Sequence, residues 1–290
     1  MTVSAPLLIP GLRALASQYS AILCDVWGVL HNGVAAFEEA HKALSAYRAE
    51  TGGKVVLITN APRPAGPIRE QLARFGVADT AYDDIVSSGD VTRELLNAHA
   101  GQTVAHIGPE RDLPIYDGTG IVLGTEDEAT AISCTGLFDD NTETPDDYRE
   151  RFLPLVDRGL EMICANPDIV VERGDRLIWC AGALARLYED LGGKVSILGK
   201  PHKPIYEAAY KRVEKLHGEP VDPQKILAIG DGLPTDIRGA VSQDLDVLFV
   251  TAGIHSADFG PVDAPEEHLI RTRLVEEGLR ARAAIPRLTW

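Results

Sequence analysis

Short apolar runs alternate along the chain with longer stretches in which apolar residues recur every three or four positions. A run of four to six apolar residues bounded by turn residues marks a strand buried on both faces, whereas the longer spacing marks a helix with one buried stripe. The pattern predicts strands over 21–24, 54–59, 85–87, 103–107, 121–123, 130–134, 161–164, 194–198, 225–229 and 246–250. It predicts helices over 37–50, 64–75, 90–98, 145–158, 182–191, 204–217 and 235–241. Alternation of this kind belongs to a parallel sheet joined by crossover helices, an α/β architecture. Residues 170–171 and 177–179 flank the turn-like Glu172-Arg173-Gly174-Asp175 and read as a hairpin. The acidic, turn-rich stretch FDDNTETP at 138–145 reads as an exposed loop, and no internal repeat interrupts the series.

Length and charge narrow this picture. A chain of 290 residues supports one large α/β domain or two smaller ones, and two fits better. The formal net charge of −15 argues against a nucleic-acid partner, because binding a phosphate backbone relies on lysine and arginine. No run of 18 apolar residues is present to cross a bilayer. The N-terminal MTVSAPLLIPGLRALA lacks the basic region and long apolar core of a secretory signal, which makes the cytoplasm the expected compartment. Cys24, Cys134, Cys164 and Cys180 are widely spaced among apolar residues, so they are expected to be reduced core thiols rather than metal ligands. Cys24 adjoins Asp25, but neighbours on a strand point to opposite faces, so the two are not expected to serve one site.

Ligands of open parallel sheets gather beyond the carboxyl ends of the strands. Four such ends carry chemistry. Asp25 follows AILC, with Gly28 three positions on to turn the chain, and a carboxylate there can attack phosphorus. Thr59-Asn60 follows KVVLI and offers a hydroxyl, an amide and backbone N–H groups to phosphate oxygens. Lys200 sits between Gly199 and Pro201 and can neutralise charge on nucleophile and phosphate. Asp231 and Asp236, in GDGLPTD, add two carboxylates that would give Asp25 a Mg²⁺ site. Taken singly, each has an ordinary explanation as a turn residue, a helix cap, a surface lysine or a carboxylate balancing a helix dipole.

The ordered set resembles the haloacid dehalogenase superfamily and, within it, the NagD-like phosphatases of subfamily IIA. DVWGVLHNG at 25–33 resembles the first motif and its flap, ITNAP at 58–62 the second, LGKPHKPIY at 198–206 the third and GDGLPTDIRGA at 230–240 the fourth. CANPDIVV at 164–171 and CAGALARLYEDLGG at 180–193 resemble segments of that branch's cap. The resemblance implies a Rossmann-like core over 1–87 and 193–290, with a smaller α/β cap of the C2 type over 88–192. It implies a nucleophile at Asp25 assisted by Lys200, and phosphate binding by Thr59, Asn60 and Lys200. Mg²⁺ would be held by Asp25, the backbone carbonyl of Trp27 and Asp231, with Asp236 behind them. Cap contacts to a small phosphorylated metabolite would come from Asn166, Asp168 and Arg173. Caps of this branch also often supply the contacts of a homodimer.

One position departs from the family pattern. Its phosphatases carry a second aspartate two residues after the nucleophile, as the acid that protonates the leaving oxygen, and here that place is Trp27. An indole offers one N–H and exchanges no proton near neutral pH. Three outcomes follow: a preference for good leaving groups, a substitute acid such as His31 or, more weakly, His202, or binding of phosphate ligands with little turnover. Members that act on carbon–halogen bonds also lack this aspartate, which keeps a metal-independent dehalogenase in view. Asp231 and Asp236 speak for the metal and hence for phosphate chemistry. A phospho-acceptor receiver also uses Asp, Thr and Lys, but the cap-sized insertion and the late aspartate pair argue against it.

Overall fold

The computed structural model describes residues 6–290. Residues 1–5, on which the reading of the N-terminus partly rests, lie outside the described residues. In chain order the strands are β1 (Leu7–Leu8), β2 (Ala21–Cys24), β3 (Lys54–Thr59), β4 (Asp84–Ser87), β5 (Thr103–Ile107), β6 (Val122–Gly124) and β7 (Ala131–Cys134). They continue as β8 (Glu161–Cys164), β9 (Val170–Arg173), β10 (Arg176–Trp179), β11 (Lys194–Ile197), β12 (Ile226–Gly230), β13 (Asp246–Val250) and β14 (Ala283–Ile285). The described residues divide into two compact units: one of 6–59, 69–85 and 206–290, the other of 60–68 and 86–205.

The first unit is built on a seven-stranded sheet of order β1-β14-β13-β12-β2-β3-β4. Strands β2, β12 and β14 are buried at every residue, as a parallel sheet covered on both faces requires. Register sets up the site: Cys24, the last residue of β2, lies opposite both Leu57 of β3 and Ile229 of β12, so the carboxyl ends of the three strands fall within two residues of one another. The Asp25 N–H extends the ladder by one bond, donating to the Ile229 carbonyl at 2.8 Å.

The second unit holds a five-stranded parallel sheet of order β11-β8-β7-β5-β6 and the antiparallel hairpin β9–β10. Its core gathers Ile132, Phe152, Met162, Leu184 and Tyr188, with the Phe152 ring edge-on to Tyr188 at 5.3 Å. One helix entry is fixed by a reciprocal cap, the Ser87 hydroxyl accepting the Asp90 N–H while the Asp90 carboxylate accepts the Ser87 N–H. β11 pairs with β8, which puts residues 194–197 in this sheet.

All ten strands expected from the pattern form, each within a residue or so of its expected bounds, as does the hairpin. Three features differ. The short β1 and β14 extend the seven-stranded sheet, and the helix Glu267–Glu276 precedes β14, giving the last thirty residues a structural place. The helix expected over 235–241 opens as a wide turn, Leu233–Ile237, and becomes regular only over Arg238–Ser242. The loop at 138–145 is not exposed throughout, because Asp140 is buried against two arginines. No helix among the described residues is long and apolar enough to cross a membrane. The four cysteine thiols are buried, as their apolar surroundings predict.

Candidate active site

At the carboxyl edge of the seven-stranded sheet, Asp25 follows β2, Asp231 follows β12 and Asp236 comes from the wide turn after it. Each offers a carboxylate oxygen within 4.8 Å of the other two, and all three are buried. Buried carboxylates this close repel one another and lose their hydration, so they call for donors and for a cation. Backbone N–H groups are among the donors. Asp231 Oδ2 accepts the Ile254 N–H at 2.8 Å, and Asp236 Oδ2 accepts the Gly232 N–H at 3.0 Å. A donor set made only of oxygen suits a hard divalent cation rather than zinc, so these residues fit such an ion.

Two glycines make room for this arrangement. Gly28 has φ +87°, and a Cβ there would lie 2.3 Å from Asp231 Oδ2. A Cβ at Gly253 would come within 1.9 Å of the same oxygen. The loop after β13 therefore braces Asp231 by a close approach at Gly253 and a hydrogen bond from Ile254, a role the sequence reading does not assign. The available signal is position, since Gly253 follows the carboxyl end of β13 just as Asp231 follows that of β12. Thr59, the last residue of β3, is buried two positions beyond the register partner of Cys24.

Trp27 and His31 belong to a small flap. Isolated bridges join Trp27 to His31 and His31 to Ala36, and the Gly28 N–H donates to the His31 carbonyl at 2.8 Å. The His31 ring stands edge-on between Trp27 and Phe75, with both centroid distances 5.0 Å. It is 2% exposed, so it is not a solvent-facing hairpin histidine. Its Nδ1 accepts the Gly33 N–H at 3.0 Å, which leaves Nε2 as the protonated nitrogen of the neutral ring. His202, by contrast, is exposed in the turn before the helix Lys203–His217.

In the second unit the structure joins Asn60, Lys200 and Asp168. Lys200 is 2% exposed, and its backbone N–H donates to Asn60 Oδ1 at 2.7 Å. Asn60 Nδ2 donates to Asp168 Oδ1 at 2.8 Å and to the Lys200 carbonyl at 3.2 Å. Asn166, 8% exposed, orients the same loop by accepting the Asp168 N–H at 3.1 Å. Arg173 sits elsewhere in the unit, in a two-point contact with Asp140 at 2.8 and 3.2 Å. Arg111 binds the same carboxylate at 2.5 Å. Burial works to raise the Asp140 pKa, but the two guanidiniums outweigh it and hold the carboxyl below its ordinary value. Asp140 escapes the sequence reading because a carboxylate in a turn-rich stretch looks like solvated surface, and Arg111 because it lies 29 residues away in sequence.

Comparison with known proteins bears on this geometry. The model of the haloacid dehalogenase-like hydrolases matches residues 22–122, and a second, described as HAD-hydrolase-like, matches 197–277. The crystal structure of a hydrolase of the haloacid dehalogenase-like family from Brucella suis 1330 is 48% identical, with a TM-score of 0.87, over 97% of this chain and 100% of that one. The D-glycerol 3-phosphate phosphatase of Mycobacterium tuberculosis is 26% identical over 85% of this chain and 67% of its own. The ribonucleotide monophosphatase NagD of Escherichia coli K12 is 26% identical over 82% of this chain and 89% of its own.

Proposed function

We propose that this chain, which belongs to the haloacid dehalogenase-like hydrolases and to their NagD-like branch, is a Mg²⁺-dependent phosphatase of a small phosphorylated metabolite. The observation that carries the reading is the convergence of the buried carboxylates of Asp25, Asp231 and Asp236 at one sheet edge. The names of the relatives, a glycerol phosphate phosphatase and a ribonucleotide monophosphatase, support the substrate class.

In this reading an Asp25 carboxylate oxygen attacks phosphorus, and the leaving oxygen departs with its bonding pair, so that an acyl phosphate forms on Asp25. Water then attacks phosphorus, releasing inorganic phosphate and restoring the carboxylate. Asp25, the Trp27 carbonyl and Asp231, with Asp236 behind them, would hold Mg²⁺, which would supply charge neutralisation for the phosphoryl group. Thr59, Asn60 and Lys200 hold those oxygens at the ends of their segments. Asn166, Asp168 and Arg173 belong to the substrate-contacting side of a cap. The proposed cap is 88–192 and the proposed core 1–87 and 193–290. The same reading assigns the chain to the cytoplasm and to a homodimer.

Trp27 favours one second reading, a protein that binds phosphometabolites with little turnover. Phosphate release from acyl, aryl and alkyl phosphates separates the two. The proposal expects release with Mg²⁺, abolished by a chelator and restored by added Mg²⁺, whereas silence from every ester rejects it. A metal-independent dehalogenase would keep its activity in the chelator. Gly253→Ala tests the metal site from behind, because its Cβ would enter the space of Asp231 Oδ2 at 1.9 Å. The Mg²⁺ concentration for half-maximal activity is expected to rise about 10–100-fold, the usual effect of disturbing a residue that orients a ligand. An unchanged Mg²⁺ curve would separate Asp231 from the ion.

A further inference from the structure

Lys200 lies in a segment with little regular structure to fix it. It follows the end of β11 and precedes the helix Lys203–His217, in a turn closed by the His202 N–H on the Gly199 carbonyl at 2.8 Å. Its neighbour Pro201 has no N–H to donate. Yet its side chain is almost wholly buried, and a buried ammonium is tolerated only where the backbone aims it at compensating partners.

One side chain, Asn60, holds the Lys200 backbone at two points. A primary amide has an acceptor oxygen and two N–H donors, and Asn60 uses both kinds on the same residue. Its Oδ1 takes the Lys200 N–H at 2.7 Å, and its Nδ2 reaches the Lys200 carbonyl at 3.2 Å. Two contacts to a single residue's backbone fix the position from which the lysine stem departs. Nδ2 also meets Asp168 Oδ1 at 2.8 Å, so one amide ties Lys200 to the Asn166–Asp168 loop. With both ends so engaged in a residue 3% exposed, the Asn60 side chain is committed to protein groups rather than to phosphate.

We infer that Asn60 is a positioning residue: its side-chain amide sets the Lys200 ammonium and couples that setting to Asp168. The inference rests on the phosphatase reading, in which Lys200 is catalytic, and it changes the part Asn60 plays there from phosphate ligand to clamp.

The test is a double-mutant cycle of Asn60→Ala, Lys200→Ala and the pair, with kcat and KM measured on an aryl phosphate with Mg²⁺. Asn60→Ala is expected to lower kcat by about 10²-fold, the scale of a catalytic group displaced by about 1 Å, with KM changed much less. In the Lys200→Ala background the same substitution is expected to change kcat by less than about threefold, since residues acting as one unit are not additive. If the two losses multiply instead, Asn60 acts independently of Lys200 and the inference is overturned. Full activity in Lys200→Ala would overturn the phosphatase reading of that residue, a result distinct from multiplication.

Should Asn60→Ala fail to fold, Asn60→Asp carries the test. It keeps an acceptor for the Lys200 N–H but sets a carboxylate against Asp168. Activity is expected to fall in Asn60→Asp and to recover at least tenfold in Asn60→Asp/Asp168→Asn, where an amide again faces a carboxylate. No recovery in the double variant would overturn the tie to Asp168.

Discussion

Asp25→Asn is expected to abolish phosphate release while leaving the fold intact. An amide fills the same volume as a carboxylate but has no anionic oxygen to attack phosphorus. The loss in kcat should reach about 10⁴-fold or more, the order seen when a hydrolase loses its covalent nucleophile. Stability should not follow activity. The substitution removes one of three buried carboxylates whose oxygens lie within 4.8 Å of one another, which relieves like-charge repulsion. Thermal unfolding of the variant without metal is therefore expected at the same temperature as wild type or higher. A fall in melting temperature that tracks the loss of activity would mean that Asp25 is structural, and retained turnover would place the nucleophile elsewhere.

Trp27→Asp is expected to change what the protein can hydrolyse rather than whether it hydrolyses. With no proton donor at this position, the leaving oxygen must depart largely unassisted, which penalises alkoxides far more than phenolates or carboxylates. General acid–base assistance is worth about 10²–10⁴-fold, so the alkyl-to-aryl rate ratio should rise by about 10²-fold when the carboxylate is introduced. The indole also has a packing role, edge-on to His31 at 5.0 Å within the flap. Trp27→Phe separates the two roles, since it keeps an aromatic ring and adds no acid, and its ratio should match wild type. If Trp27→Asp leaves the ratio unchanged, another group already moves the proton. The His31 Nε2 is then the first to remove, since Nδ1 is occupied by the Gly33 N–H.

Much of this architecture is legible in the chain because buried parallel strands are written as unbroken apolar runs. AILC, KVVLI and KILAIG announce β2, β3 and β12, and the polar residue that ends each run marks the sheet's reactive edge. β14 is illegible for the opposite reason. It is three residues long, Ala-Ala-Ile, too short to read as a strand even with Pro286 after it, and its strand character comes from pairing with β1 and β13. The carboxylate trio is readable as spacing, but its bracing by Gly253 and Ile254 joins residues more than twenty positions from Asp231 and depends on the register of β12 with β13. Asn60 shows the same limit more sharply. Beside Thr59 it reads as a phosphate ligand, and only its bonds to Lys200, 140 residues away in sequence, show the side chain to be otherwise engaged.

The absent acid also bears on the second half of the proposed reaction. If water attacks the acyl phosphate without a general base, that step is slow, and the phosphorylated chain should accumulate during turnover. Mixing the protein with Mg²⁺ and a ³²P-labelled aryl phosphate, then quenching in acid within the first turnovers, measures this directly. The account predicts about one label per chain, stable in acid, released by hydroxylamine and missing from Asp25→Asn. Phosphate release at the full rate with no trapped label, or label that survives Asp25→Asn, would contradict it.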